Sequence, residues 1–98
     1  MTGILIRARV ELEQRRELMQ MFKETSLPTR LPAACLERRL YEEAVAPTNL
    51  LLIEQWSDEV AMNSYLSSEQ FRALIGAVKV LGELVDIRIS EATLIEDG

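Results

Sequence analysis

Three side chains that could act on a bound aromatic molecule lie close together in the sequence. Trp56 ends a predicted strand, and Asn63 and Tyr65 follow it on a predicted helix. A phenol hydroxyl can donate a hydrogen bond or a proton to a bound phenol or quinol, an amide can orient its oxygen, and an indole ring can stack on it. Each also has a structural explanation, in which the two rings pack in the core and Asn63 is exposed. We take these three as candidate catalytic residues.

Histidine is absent from the sequence. Its absence excludes Ser/His/Asp triads, Cys/His nucleophiles and zinc, iron or haem held by imidazole. The four scattered glycines form no phosphate-binding loop, and no group of carboxylates has the helical spacing of a hard-metal site. We therefore expect neither a cofactor nor a metal. Any reactivity would come largely from the substrate, held in an apolar pocket and oriented by a few polar groups.

Arginines are frequent on the predicted strands and have two interpretations. A guanidinium is always protonated and grips a carboxylate with two donors, so these arginines could form an anion site. Pairing with glutamates across neighbouring strands explains them more simply. The arginines are Arg7, Arg9, Arg38 and Arg39, and the available partners are Glu37, Glu42, Glu43 and Glu54.

Length and charge limit the class of protein. The 98 residues suffice for one domain, which we predict to span residues 1–98. Eleven basic against sixteen acidic residues give a net charge of −5, so neither nucleic acid nor a membrane surface is an expected partner. Cys35 is a lone cysteine that we expect to be a quiet, half-buried thiol. The first residues lack the charged and apolar regions of a signal peptide, and no stretch is apolar enough to span a membrane, so we expect neither feature. We predict a cytoplasmic protein.

Hydrophobic periodicity predicts the elements that must position these residues. Strands are placed at residues 4–11, 36–43, 50–56 and 84–95, and a helix at residues 12–25. Two further helices follow the third strand: a short one capped by Ser57 and ending at Leu66, and one opened by the capping box Ser67-x-x-Gln70 and closed by Gly82. Residues 96–98 are a polar tail.

This order predicts an α+β fold of the ferredoxin-like type, βαββαβ, with a four-stranded antiparallel sheet and the helices on one face. The opposite face carries Leu5, Leu51 or its neighbours, and the arginine-rich positions of the first two strands, which would not all be stable in water. We therefore expect a homodimer in which the sheet faces of two chains pack together.

Two stretches of the sequence resemble the antibiotic biosynthesis monooxygenase domain, a dimeric α+β barrel family. They are "ILIRARVELEQRRELMQMF" and "LLLIEQWSDEVAMNSYLSSEQFRALI", and the likeness extends over nearly the whole chain. Its most specific part is Glu54-x-Trp56 followed by a short helix and the segment 67–71. The resemblance implies a cavity between sheet and helices in each protomer. It also implies one of several activities, among them oxygenation of quinols or aromatic polyketides without metal or flavin, and haem degradation.

Residues at individual positions favour some of the family's activities over others. Trp56 matches a tryptophan common to several branches, and Tyr65 stands where many relatives have a histidine. Ile75 and Ala8 replace the haem-degrading branch's histidine and asparagine, which disfavours haem degradation. Leu52 and Met62 replace an asparagine and a tyrosine of the polyketide-oxidising branch. The residues expected to bind substrate are Met62, Phe71, Leu52 and Ala8.

Two functions follow as hypotheses. In the first, the protein is a cofactor-independent monooxygenase in which an ionised, electron-rich aromatic or quinol-type substrate reacts directly with O₂. Tyr65 or Asn63 would then orient the substrate oxygen while Trp56 stacks on the ring. The alternative is a dimeric binding protein for a small apolar metabolite, without turnover.

Overall fold

Four strands and three α-helices follow one another in the predicted order in a computed structural model, which describes residues 2–27 and 29–90. A short 3₁₀ turn, Leu12–Gln14, precedes the first helix. The elements are β1 (Thr2–Arg9), α1 (Arg15–Thr25), β2 (Cys35–Glu42), β3 (Asn49–Trp56), α2 (Glu59–Leu66), α3 (Glu69–Leu81) and β4 (Glu83–Ser90). The fold is the predicted ferredoxin-like α+β fold.

The strands form one antiparallel sheet in the order β2-β3-β1-β4. β1 and β3 are central, which explains why β3 is apolar on both faces. Ile6 of β1 lies opposite Leu52 of β3 on one side and opposite Ile87 of β4 on the other. Irregularities in register occur between Arg7 and Ala8 on the β4 side, and between Cys35 and Glu37 in β2.

The helices cover one face of the sheet. Alternate residues of the central strands point into this core, and the helices contribute the buried rings and aliphatic chains opposite them. The main cluster contains Ile4, Ile6, Leu52, Trp56, Met62, Tyr65, Phe71 and Leu74. A second cluster lies nearer the other end of the sheet and contains Ala8, Val10, Leu18, Leu50 and Val78.

The opposite face of the sheet, which we call the open face, has no element of the described chain packed on it as a layer. Leu5 and Ile53 are cross-strand partners at its centre, and Leu51 lies beside them opposite Arg7. Three ion pairs surround this apolar centre. Arg7 pairs with Asp86 and Arg9 with Glu83 across neighbouring strands, with partners other than the expected glutamates. Arg39 pairs with Glu37, an expected partner, but within β2 rather than across strands.

Local signals placed the helix starts one residue too early. α2 is capped by Asp58, whose carboxylate accepts a hydrogen bond from the Val60 N–H at 2.9 Å, rather than by Ser57. α3 is capped by Ser68, whose hydroxyl accepts from the Phe71 N–H at 3.2 Å, rather than by Ser67. In both cases the correct cap is the neighbouring polar residue whose oxygen reaches a free amide of the first turn.

Gly82 ends α3 as predicted, but for a different reason. Its φ of −169° is extended backbone, so no left-handed turn is formed. A Cβ at this position would lie 2.3 Å from the Arg9 carbonyl oxygen and 2.9 Å from a methyl of Val10. The glycine is therefore needed where the chain passes close to the end of β1.

Most other predicted boundaries shift by one or two residues. The helix predicted from residue 12 starts at Arg15, three residues later, because Leu12–Gln14 forms the 3₁₀ turn. β1 starts at Thr2 and ends at Arg9, two residues before the predicted end. The predicted strand at residues 84–95 is observed as far as Ser90, while its last five positions and the tail 96–98 lie outside the described residues. No helix in the described ranges is long and apolar enough to span a bilayer.

Candidate functional site

The centre of the site is a carboxylate buried within the apolar core. Glu54 lies on β3 between Leu52 and Trp56 on the face that the helices cover, and its side chain is 0% exposed. Burying an ionised carboxylate is costly unless charged or hydrogen-bonding partners surround it. Its partners therefore define the site.

Arg38 supplies the compensating charge. It is the cross-strand partner of Glu54 on β2, its side chain is only 3% exposed, and its Nε lies 3.1 Å from Glu54 Oε2. The N–H of this nitrogen is not aligned for a hydrogen bond, so the contact is primarily electrostatic. The structure thus brings together two residues that the sequence offered as one of several cross-strand pairs.

The end of α1 holds the guanidinium in place. Arg38 Nη1 donates to Thr25 Oγ1 at 2.8 Å and to Ser26 Oγ at 3.0 Å. Its Cζ lies 5.0 Å from the centre of the Phe22 ring, a cation–π distance. These contacts fix the cation between the sheet and α1.

Two aromatic side chains complete the coordination of Glu54. Trp56 Nε1 donates to Oε1 at 3.2 Å, and the Tyr65 hydroxyl donates to Oε2 at 3.3 Å. The two rings are tilted against each other with centroids 4.8 Å apart, and Tyr65 meets Phe71 edge-on at 5.4 Å. We call Glu54, Arg38, Trp56 and Tyr65 the buried polar network.

Burial controls the protonation of this network. It raises the pKa of Glu54 above its ordinary value, against the opposing effects of Arg38 and of the donors Trp56 and Tyr65. The pKa of the Tyr65 hydroxyl is also raised, first by burial and then by the Glu54 charge. Glu54 is therefore a stronger base than an ordinary carboxylate, and Tyr65 holds its proton at neutral pH.

A cavity of about 100 Å³ lies beside the network and opens between α3 and the segment before β2. Tyr65 and Arg38 form part of its wall, so one end of the network faces this space. The rest of the lining is Thr25, Arg30, Leu31, Gln70, Ala73 and Leu74. The cavity therefore combines an aliphatic side with hydroxyl, amide and guanidinium donors, as ligand pockets do.

A second, smaller void lies between the sheet and helices α1 and α3. Its volume is about 20 Å³ and its lining is entirely apolar, including Ala8, Leu52 and Leu74. A void of this size accommodates little more than one water-sized group. Since Leu74 lines both spaces, the two are neighbours.

The predicted site residues are distributed over four places. Trp56 and Tyr65 are in the network, with Trp56 fully buried behind Glu54 and only Tyr65 at the cavity wall. Met62 and Phe71 pack in the main core cluster around them. Asn63 is exposed on α2.

Leu52 and Ala8 face the small void rather than the cavity. They lie at neighbouring positions of the central strands, Leu52 opposite Ile6 and Ala8 opposite Leu50. Neither side chain lines the cavity, so neither is placed to contact a ligand there.

Glu54 and Arg38 were not predicted as site residues, although the sequence carries a signal for them. The two-residue period of β3 puts Glu54 on the same face as Leu52 and Trp56, and the period of β2 puts Arg38 on the face of Leu40. An acid and a base that both face the core must be partners or be near a functional site.

Cys35 lies close to this group but is not activated. Burial and the charge of Glu54 raise the pKa of its thiol to about 11, so it is protonated at neutral pH. This agrees with the expectation of a quiet, half-buried cysteine. Within residues 2–27 and 29–90, no three Cys, Asp or Glu side chains are grouped to hold a metal ion.

Fold and site together define a ferredoxin-like α+β protein with a buried acid and phenol at the wall of a small cavity. The sequence model of the family described as antibiotic biosynthesis monooxygenase matches residues 1–77. The chain therefore belongs to the antibiotic biosynthesis monooxygenase family. Among curated proteins, none matches the sequence.

Solved structures share the fold over almost the whole chain. A candidate antibiotic biosynthesis monooxygenase from Deinococcus radiodurans has 24% identity and a TM-score of 0.79, with 99% of this chain and 97% of that one covered. A conserved protein from Methanosarcina mazei Go1 has 21% identity and a TM-score of 0.78, with 94% and 92% covered. A variant of SnoaB, a cofactor-independent oxygenase from Streptomyces nogalater, has 18% identity and a TM-score of 0.75, with 97% of each chain covered.

Proposed function

We propose that this protein is a monooxygenase that oxidises a small, electron-rich phenol or quinol in the cavity beside Tyr65, without an organic cofactor or a metal. The observation that carries the proposal is the hydrogen bond from the Tyr65 hydroxyl to buried Glu54 at the cavity wall. Membership of the monooxygenase family supports the reaction class.

The network offers a route for the substrate proton. A phenolic O–H in the cavity donates to the Tyr65 oxygen, while the Tyr65 proton moves along its existing hydrogen bond to Glu54 Oε2. Tyr65 is neutral before and after this transfer, and the negative charge passes from Glu54 to the substrate. Arg38, at the same wall, stabilises the phenolate that results.

The electrons come from the substrate itself. The phenolate passes one electron to O₂, and the two radicals combine to form a C–O bond and a peroxide anion, which takes back the proton held by Glu54. Loss of water then breaks the O–O bond and the C–H bond at the same carbon. One oxygen atom becomes a carbonyl of the product and the other leaves as water, so a phenol and O₂ give a quinone and H₂O.

Trp56 acts through Glu54 in this scheme rather than by stacking on the substrate. Its ring is fully buried and its N–H holds Oε1, which leaves Oε2 directed to Tyr65 and Arg38. It is therefore a positioning residue. Asn63, being exposed, has no assigned step, and Met62 and Phe71 support the Tyr65 ring.

Oxygen uptake tests the proposal. The purified protein is assayed with a panel of hydroquinones and naphthols, and heat-unfolded protein corrects for autoxidation. We expect catalysed uptake that falls about 100-fold or more in Tyr65→Phe, which removes the hydroxyl that passes the proton from substrate to Glu54. Tyr41→Phe, which removes a half-exposed hydroxyl outside the cavity, should leave the rate unchanged. Equal rates in wild type and Tyr65→Phe would refute the role of Tyr65.

A non-catalytic binding protein for a small apolar metabolite is the second candidate. It is favoured by the fact that both oxygens of Glu54 already have partners within the protein, as in a purely structural network. Such a protein would retain ligand in the cavity and consume no O₂. The uptake assay and a binding measurement on the same panel separate the two functions.

We also propose that the protein works in the cytoplasm as a homodimer joined through the open faces. The apolar centre formed by Leu5, Leu51 and Ile53, with ion pairs around it, supports self-association. The single cysteine with a raised pKa suits a reducing compartment.

A further inference from the structure

The cavity is positively charged although the protein as a whole is acidic. Arg30 and Arg38 line it, and no aspartate or glutamate among residues 2–27 and 29–90 does. Glu54 lies behind Arg38 and carries one negative charge at most, so it offsets no more than one of the two positive charges. Burial raises the pKa of Glu54, which favours its neutral form. In a chain of net charge −5, a cavity with at least one uncompensated cation attracts an anion selectively.

Arg30 is the uncompensated cation. Six other arginines form ion pairs, and within residues 2–27 and 29–90 no carboxylate pairs with Arg30. The backbone of Arg30 is nevertheless held in place, because Gln70 Nε2 donates to its carbonyl oxygen at 2.7 Å and its backbone N–H donates to the Leu27 carbonyl at 2.8 Å. A guanidinium on an anchored backbone at the cavity wall is suited to binding a ligand carboxylate.

Size and lining restrict the ligand further. A volume of about 100 Å³ holds about three waters, and an apolar cavity of about 150 Å³ is known to hold benzene. The cavity therefore admits a single ring with one edge at the opening. Leu31, Ala73 and Leu74 offer aliphatic contacts to that ring, while Tyr65 and Arg30 offer polar contacts to its substituents.

We propose that the ligand of this cavity is a single-ring aromatic carboxylate that also carries a phenolic hydroxyl, with its carboxylate bound by Arg30 and its hydroxyl directed to Tyr65. Arg30 is then the residue that determines specificity. The hydroxyl part of this proposal rests on the proposed oxygenase function. The carboxylate part rests on the charge and size of the cavity alone.

Calorimetric titration tests the carboxylate. The probes are 2-, 3- and 4-hydroxybenzoate, the methyl ester of each, and inorganic phosphate. At least one hydroxybenzoate should bind about tenfold or more tightly than its ester, since the ester keeps the ring and hydroxyl but loses the charge. Phosphate should neither bind nor compete, because it lacks the ring that the aliphatic side contacts. Equal affinities of acids and esters, or displacement of the acids by phosphate, would overturn the proposal.

Two variants locate the contact. Arg30→Gln should weaken hydroxybenzoate binding about tenfold or more and leave the ester unaffected. Arg72→Gln is the matched control, because Arg72 is also an exposed, unpaired arginine, on α3, but does not line the cavity. A similar loss in both variants would show a general charge effect and refute the assignment. The comparison of acid with ester in the wild type tests whether the cavity binds a carboxylate, independently of any variant.

Oxygen uptake with the same probes separates this proposal from the proposed function. Uptake with neutral quinols, but without preference for acids, would overturn the carboxylate ligand and leave the oxygenase intact. Arg30-dependent binding of hydroxybenzoates without any uptake would support the ligand assignment and overturn the oxygenase. Uptake that depends on both Arg30 and Tyr65 would support both.

Discussion

At the scale of single residues, the opposite charges of Glu54 and Arg38 affect both the stability of the fold and the proposed chemistry. The two charges lie 3.1 Å apart with side-chain exposures of 0% and 3%, so each is the other's main compensation for the loss of water. The same pair holds Tyr65 at the cavity. Stability and the proposed reactivity therefore depend on the same four side chains.

Arg38→Met should destabilise the fold by about 3 kcal/mol or more at neutral pH, because it leaves a buried carboxylate without its cation. The measurement is urea unfolding followed by the fluorescence of Trp56. Arg9→Met is the control, since Arg9 and Glu83 form an exposed pair whose loss costs below about 1 kcal/mol. Adding Glu54→Gln to Arg38→Met should restore much of the lost stability, and no recovery would contradict a charge-burial origin.

The raised pKa of Glu54 predicts a pH dependence of definite sign. The folded chain holds this proton more tightly than the unfolded chain, so protonation favours folding. The free energy of unfolding should fall as pH rises from the ordinary value of 4.5 to the native pKa. Asp86, with a lowered pKa, acts in the opposite sense and only as pH falls below its ordinary 3.8.

Thermal unfolding between pH 4.5 and 8 measures this dependence. Glu54→Gln should flatten it by removing the titrating group, and Arg38→Met should steepen it, since Arg38 lowers the pKa of Glu54. Glu83→Gln, at an exposed position, should leave the slope as in the wild type. A slope retained in Glu54→Gln would assign the effect to another group.

The sequence indicated part of this site for physical reasons. Trp56 and Tyr65 stood out by residue type, and the structure places both in the network. Glu54 was named in the motif that carries the family resemblance and as one of several pairing partners, but not as a site residue, because sequence does not tell which of many glutamates is buried with a partner until strand register is known. Asn63 stood out by proximity in sequence, but its helical phase places it on the exposed side of α2.

At the scale of elements, the start of α3 connects the site to the fold. Ser68 Oγ accepts a hydrogen bond from the Phe71 N–H and donates one to the Tyr65 carbonyl at 2.6 Å. The same hydroxyl therefore caps α3 and fastens the end of α2, which carries Tyr65. Gln70, in the first turn of α3, ties this helix to Arg30.

Ser68→Ala should destabilise the protein by about 1 kcal/mol, the usual effect of losing an N-cap. Ser67→Ala should be close to neutral, although Ser67 begins the apparent capping box. Denaturant midpoints of the two variants give the comparison. A larger effect in Ser67→Ala would restore the box as first read from the sequence.

Periodicity predicted every strand and helix of the described chain, because each has one face against the core. Ends were less well predicted. The caps at Ser57 and Ser67 were each one residue away from the true ones, since neighbouring serines and aspartates are equivalent until backbone geometry selects the oxygen that reaches an amide. The register shifts in β2 and β4 have no signal in the hydrophobic pattern either.

At the scale of the whole molecule, the open face is the feature that remains to be covered. Ile53, at the centre of this face, is only 5% exposed. Leu5 and Leu51 are half-buried in the same region. A second chain would complete this burial.

Leu5→Glu should shift the proposed dimer toward a monomer, because it places a charge in the apolar centre of the open face. Sedimentation velocity on a dilution series should give twice 11.2 kDa for the wild type and a lower average mass for the variant. Val80→Glu, an equally charged change at a position of α3 that is 85% exposed, should behave as the wild type. Identical masses for the two variants would place the interface elsewhere.

The strand order has a consequence for synthesis on the ribosome. β1 is the first strand to leave the ribosome, yet it lies between β3 and β4. Gly3 cannot pair with Ser90, nor Arg7 with Asp86, until β4 has been synthesised. Until the last strand emerges, a nascent chain exposes one edge of β1, with free N–H and C=O groups able to pair with another chain. A stalled translation product ending before residue 83 would thus be prone to aggregate.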